Sequence, residues 1–444
     1  MKTFKMLACG AVLFWGFGAP VKAHEPGEPI VLKGRVNSPL VPSMGGTLFL
    51  QISIVPPTLN TPRKKPMNLS IVLDRSGSMA DEGKIRYAKS ALLSFVDRLS
   101  PDDYLSIVIY DDIVEVLRPS GRVRDKREIH RLIERIFPRG STNLGGGMVK
   151  GLEQVAATAS REFVNRVVLL SDGLANQGIT DPRALNKIAR RYRSKSISLT
   201  TIGVGLDYNE NLMVGLADYG GGNYYFIESP HSIAHILRRE FDAMTTILAQ
   251  NSTLELSFGN SVQIIDVIGY PWTADGNRCS ISLGDLAAGH TQELTVEVRV
   301  PGGTGTLALA RGFLKYETGN PSLQSPKPFD VSVEYSRSAE AIERNRDLDA
   351  QAKADIAVST RTVEKAMEAL DSGNAAQALE ELESAETFLK SSPAAESPQA
   401  GGALRDQLGR LDVFRKVLQD SSADHRRAKK SIQYDNYRIQ KNNQ

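Results

Sequence analysis

The chain has 444 residues, 41% of them hydrophobic and 24% charged, which is globular composition and length enough for about three domains. That excludes a collagen-like, wholly disordered or multi-span membrane protein. Fifty-four Lys+Arg against 51 Asp+Glu give +3, too weak a balance to point to nucleic acid. Cys9 and Cys279 allow at most one disulfide and no cysteine-built zinc site.

The first element is predicted to be a signal peptide over residues 1–23. Lys2 and Lys5 make a basic start, Leu7 to Trp15 an apolar core, and Val21-Lys22-Ala23 presents small residues where a signal peptidase reads. Too few residues precede Cys9 for a lipoprotein signal. No other stretch approaches the ~18 apolar residues that span a bilayer. The expected mature chain is therefore exported, without a transmembrane segment, to a periplasmic, cell-surface or released destination. Losing Lys2, Lys5 and Lys22 leaves it with 51 bases, 51 acids and one cysteine.

Residues 24–60 carry two strand-like runs, Ile30–Leu32 and Thr47–Ile54. Pro56, Pro57, Pro62 and Pro66, with Arg63-Lys64-Lys65 among them, then read as a solvated linker. From 61 to 250 apolar runs alternate with helical patterns. The strands are Leu69–Leu73, Leu105–Tyr110, Val114–Leu117, Val167–Leu170, Ile197–Val204 and Tyr224–Ile227. Ile85, Ala88, Leu92, Val96 and Leu99 mark one face of the first helix. Buried strands joined by helices predict a doubly wound α/β domain with a mostly parallel sheet.

The period changes over 251–336. Leu254, Leu256 and Phe258 alternate with polar residues, as do Leu294, Val296, Val298 and Val300, which predicts an antiparallel β-sandwich. Cys279 shares a face with Ile281 and Leu283 and reads as core packing. Residues 337–444 form a helical C-terminal region. Two helices meet near Asp371-Ser372-Gly373-Asn374, faintly like one tetratricopeptide unit, and a third runs through Leu404–Leu418. Beyond them Arg426, Arg427, Lys429, Lys430, Arg438 and Lys441 read as a solvated basic tail.

The chemistry is concentrated at Asp74-Arg75-Ser76-Gly77-Ser78, directly after the first strand of the α/β segment. Ligands bind at the carboxyl edge of such a sheet. Asp74 brings charge, Ser76 and Ser78 bring hydroxyl oxygens, and Gly77 lets the loop turn both to one point. Thr142, in Gly140-Ser141-Thr142-Asn143, and Asp172, in Ser171-Asp172-Gly173, lie on two later strand-end loops. Two carboxylates and three hydroxyls suit a hard divalent cation, Mg²⁺ first and Ca²⁺ or Mn²⁺ after it, rather than zinc. Two carboxylates only neutralise the ion, so it stays electrophilic toward an Asp or Glu carboxylate of a partner protein.

This pattern resembles the von Willebrand factor type A (VWA) domain, whose metal-ion-dependent adhesion site reads Asp-x-Ser-x-Ser, then Thr, then Asp. Asp74, Ser76, Ser78, Thr142 and Asp172 match all five positions. Leu169–Asn176, Thr201–Gly205, Asn209–Met213 and Gly221–Ile227 look like secreted bacterial members related to inter-α-trypsin inhibitor heavy chains and calcium-activated chloride-channel-like proteins. The resemblance implies that the serines and threonine ligate the ion while the aspartates act largely through water. It also implies that the N-terminal strands join those after residue 250 in one sandwich, with the VWA domain inserted.

Other signals are weaker. A phosphatase nucleophile at Asp74 needs an acid two residues on, and that residue is Ser76. Gly203-Val204-Gly205 lacks the third glycine of a dinucleotide loop. Gly145-Gly146-Gly147 suits close helix approach, His231 and His235 lack a third zinc ligand, and Asp111-Asp112 reads as a charged hairpin turn. The expectation is a non-enzymatic, exported adhesion-type module. The alternatives are an envelope scaffold working through sandwich and tail, and, behind it, a Mg²⁺-dependent phosphohydrolase.

Overall fold

The computed structural model describes residues 29–58, 65–318, 323, 325–420 and 424–441. The expected signal peptide lies outside them. Three N-terminal strands come first: β1 (Val31–Val36), β2 (Leu40–Pro42) and β3 (Gly46–Val55). The α/β domain then runs β4 (Met67–Asp74), α1 (Lys84–Arg98), β5 (Tyr104–Tyr110), β6 (Val114–Arg122), α2 (Lys126–Glu134), α3 (Leu144–Ala156) and β7 (Val164–Ser171). It continues with α4 (Pro182–Arg193), β8 (Ser198–Val204), α5 (Glu210–Gly220), β9 (Gly221–Ile227) and α6 (Ile233–Thr245). The sheet order is β6-β5-β4-β7-β8-β9, parallel except for β6, which turns back along β5.

Strands β4 and β7 are buried along their whole length, which is why they read as continuous apolar runs. Helices α1, α2 and α6 cover one face, and α3, α4 and α5 the other. The glycines of α3 serve that packing. A Cβ on Gly147 would sit 2.5 Å from the Tyr110 ring, and one on Gly151 would sit 2.2 Å from Val72.

Seven further strands follow: β10 (Ile247–Phe258), β11 (Gln263–Ile268), β12 (Trp272–Asp275), β13 (Arg278–Ala287), β14 (Gln292–Val300), β15 (Thr306–Glu317) and β16 (Phe329–Ser336). They join the N-terminal strands in two sheets, β1-β3-β14-β11 and β12-β13-β10-β15-β16-β2. Leu48, Leu50 and Ile52 stand opposite Val298, Val296 and Leu294, and the inward side chains of both sheets share one core. Cys279 is part of that core, where burial pushes its thiol up to about 12.

The α/β domain is thus inserted between β3 and β10, and its entry is pinned rather than solvated in the described part. Pro56 and Pro57 are buried, and Lys65 Nζ donates to Gln250 Oε1 on the exit strand at 3.2 Å.

The C-terminal region holds α7 (Ala339–Arg344), α8 (Leu348–Asp371), α9 (Ala375–Lys390), α10 (Gly401–Gln419) and α11 (His425–Gln440). The last four share a core, and Arg361 and Lys353 of α8 pair with Glu297 and Glu293 of the sandwich at 2.7 Å each. The basic tail expected to be solvated is helix α11, and it docks on the α/β domain. Arg426 pairs with Asp207 at 2.9 Å, Arg427 with Glu228 at 3.2 Å and Lys441 with Asp218 at 2.9 Å; Lys429 and Lys430 both pair with Glu210. Between these pairs Tyr437 packs edge-on against Tyr224, with ring centroids 5.5 Å apart. Arg426 and Arg427 stay exposed as expected, but Lys429, Lys430 and Lys441 do not, because their acidic complement lies about two hundred residues upstream.

Candidate metal centre

The five expected site residues sit on three loops at the carboxyl edge of β4 and β7, and backbone hydrogen bonds stitch those loops together. Gly77 N donates to Gly140 O at 3.1 Å and Arg139 N to Arg75 O at 2.7 Å, joining the first loop to the second. Asn176 N donates to Thr142 O at 3.2 Å, while Thr142 N donates to Asn176 Oδ1 at 3.0 Å, joining the second to the third.

Asp74 and Asp172 are fully buried, Ser76 and Thr142 nearly so, and Ser78 opens to the surface beside exposed Gly77. Asp74 Oδ1 accepts the Ser76 N–H at 2.8 Å and Asp74 Oδ2 the Ser171 hydroxyl at 2.7 Å. Ser78 Oγ donates to Asp172 Oδ1 at 2.9 Å and lies 3.2 Å from Ser76 Oγ. Burial pushes the Asp74 carboxyl up to about 6; the Ser171 bond works against this, and the charge of Asp172 adds to it. Two buried carboxylates so close carry negative charge that a cation would relieve.

The donor set fits a hard divalent ion. A Cβ on Gly173 would lie 3.1 Å from Thr142 Oγ1 and 3.8 Å from Ser78 Oγ, so the glycine leaves open the space those hydroxyls share. The available atoms are carboxylate and hydroxyl oxygens, with no thiol or imidazole.

Several residues of the site went unassigned in the sequence. Arg75 is buried; its Nε donates to Asp111 Oδ2 at 2.8 Å, and Arg139 Nε reaches the same oxygen at 2.8 Å. Asp111 does lie in the expected turn, yet it is buried and ties the first two loops together, while Asp112 is exposed. Bonds from Arg139 and Ile113 and the charge of Arg75 outweigh the desolvation of Asp111 and hold its carboxyl below the usual range. Lys84, first residue of α1, is buried with Nζ 2.8 Å from Asp172 Oδ2. One signal could have marked it: a lysine opening a helix faces the positive end of the helix dipole and needs a partner. His231 Nε2 meets the Tyr87 hydroxyl at 3.1 Å, and His235 is exposed.

A parallel sheet whose carboxyl edge gathers Asp-x-Ser-x-Ser, Thr and Asp defines a class, and sequence comparison agrees. Residues 68–239 match the family described as von Willebrand factor type A domain, so this part of the chain is a VWA domain. Domains of this family typically bind a divalent cation at the adhesion site and often mediate protein interaction there. Among relatives, the uncharacterized protein YfbK of Escherichia coli (strain K12) is 28% identical over 311 residues, covering 69% of this chain and 53% of that one. Inter-alpha-trypsin inhibitor heavy chain H3 of Mesocricetus auratus is 24% identical over 252 residues, covering 54% of this chain and 28% of that one. The chain thus spans about half, or less, of the length of such curated relatives. A solved von Willebrand factor type A protein from Catenulispora acidiphila superposes with a TM-score of 0.70 at 14% identity, over 93% of this chain and 98% of that one. That likeness extends the shared fold across the VWA domain, sandwich and helices alike.

Proposed function

We propose that the protein is an exported, adhesion-type binding module that captures an acidic side chain of a partner protein at the Asp74–Asp172 loops. Ser76, Ser78 and Thr142 would hold the cation directly, with Asp74 and Asp172 orienting hydroxyls and water around it. A Mg²⁺-class ion held there supplies an electrophilic centre with coordination left for an outside carboxylate. The neutral hydroxyls keep the positive charge from being cancelled, and the stitched loops fix the donors before a partner arrives.

The observation that carries the reading toward a protein partner is the apolar rim of the same edge. Ile113, Phe137, Leu174 and Ile179 are 40–58% exposed on the loops that follow β5 and β7 and precede Thr142. Large apolar side chains gathered around a polar point suit the core of a protein interface. Binding without turnover is part of the proposal, because Ser76 occupies the place of the acid a phosphohydrolase needs. The scaffold alternative is weakened, because Lys429 and Lys430 of α11, on which it relied, are covered and paired with Glu210 of the same chain.

The test is affinity capture from a cell-envelope extract by the mature protein, in Mg²⁺ and in EDTA. A partner recovered only in Mg²⁺, and lost with Asp74→Ala while circular dichroism stays native, is the expected result. Recovery indifferent to both changes would sink the proposal.

A further inference from the structure

Lys84 is a cation placed beside a site built to receive one. It opens α1, where the helix dipole opposes positive charge, and its side chain is only 6% exposed. Its Nζ lies 2.8 Å from Asp172 Oδ2, while the other Asp172 oxygen accepts from Ser78. The loop after β8 packs closely against the end of this side chain. Gly205 takes φ +74, and a Cβ there would lie 3.4 Å from Lys84 Nζ. A buried lysine with a closely packed end and a carboxylate partner at 2.8 Å is held in place.

We propose that Lys84 is a tethered counter-charge of the cation site. It neutralises Asp172 while the site is empty, weakens binding of a divalent ion, and leaves the loaded site net positive and so selective for an anionic partner. The charge balance supports this. Asp74 and Asp172 alone would be neutralised by a divalent ion, whereas Lys84 adds one positive charge to the loaded state. A fixed positive charge a few ångströms from an incoming cation, in surroundings less polar than water, lowers its affinity by tenfold or more. The same charge attracts a carboxylate, so it favours an anionic partner at the loaded site. The inference rests on the reading of Asp74, Ser76, Ser78, Thr142 and Asp172 as a cation site.

The experiment is calorimetric titration of the mature full-length chain with Mg²⁺ alone, in wild type, Lys84→Gln, Lys84→Arg and Asp172→Asn. Glutamine keeps a donor for Asp172 without the charge, and arginine keeps the charge with a different shape. The expected result is Mg²⁺ affinity raised at least about tenfold in Lys84→Gln, near wild type in Lys84→Arg, and lost in Asp172→Asn. Unchanged or weaker affinity in Lys84→Gln, with binding still lost in Asp172→Asn, overturns the role of Lys84 and leaves the cation site standing. Binding that survives Asp172→Asn overturns both. Should Lys84→Gln unfold without metal, the shift in its melting temperature on adding Mg²⁺ is read instead, and a shift no larger than in wild type counts against the inference.

Discussion

Strand β7 carries a buried charge cluster at each end, and the two are finished differently. Near its start Arg166 bonds Glu240 of α6 and Asp285 of the sandwich at 2.5 Å each. Glu240 also accepts from Thr200, Asn223 and Tyr225, so its oxygens take four hydrogen bonds in all. Beyond its end, Asp172 and Asp74 take two bonds each, and the hydroxyls of Ser76, Ser78 and Thr142 converge beside them. A carboxylate whose acceptors are filled by its own chain joins domains. One set among hydroxyls with room left over is prepared for something from outside.

The largest effect should come from breaking the satisfied cluster. Arg166→Met strands Glu240 and Asp285 in the interior, and such uncompensated charges cost about 3–5 kcal/mol. Denaturant unfolding should show this loss with and without Mg²⁺. A loss that Mg²⁺ repairs would mean the two ends of β7 are not independent.

Next comes the open cluster. Mg²⁺ at a hundredfold excess over its dissociation constant should stabilise the wild type by about 2.7 kcal/mol. Asp74→Ala should abolish that gain, measured as the Mg²⁺-induced shift in melting temperature. An equal shift in the variant would put the cation elsewhere.

A smaller effect is expected where α11 docks. Burial favours protonation of Glu210, but the bonds from Lys429 and Lys430 outweigh it and hold the carboxyl below the usual glutamate range. The unfolded chain therefore takes up this proton first as pH falls, and the stabilisation present at neutral pH is lost on acidification. Glu210→Gln should cost about 1–2 kcal/mol at pH 7, and the gap to wild type should shrink below about pH 4. A gap that is constant across this range would show that the pair contributes nothing specific. Smallest in stability is Leu174→Ser, within about 0.5 kcal/mol of wild type because the side chain is exposed, though partner capture should weaken. Capture as strong as wild type would remove the apolar rim from the interface.

What the sequence disclosed follows the same divide. The α/β order was legible because strands buried on both faces are written as apolar runs, as in Met67–Asp74 and Val164–Ser171. Asp74, Ser76 and Ser78 were legible because one loop supplies them at fixed spacing, and Asp172 because it directly follows a strand; Thr142 was legible only through the motif, since it lies on the loop between α2 and α3 and not at the strand end expected for it. The satisfied contacts were hidden. Arg166 meets Glu240 and Asp285, and Lys430 meets Glu210, across chain separations that no local pattern records. Asp111 looked like a turn residue because its partners, Arg75 and Arg139, lie on other loops. The split of the N-terminal strands between two sheets, β1 and β3 in one and β2 in the other, likewise has no signature in their composition.

Capture of a partner at this edge depends on the Asp74–Asp172 loops forming a divalent-cation site. The most direct measurement is equilibrium binding of Mg²⁺ to the mature protein by titration calorimetry, in wild type and in a Ser76→Ala/Ser78→Ala double variant. A single saturable site is expected in the wild type and none in a variant that is still folded. Equal binding by both proteins would contradict it.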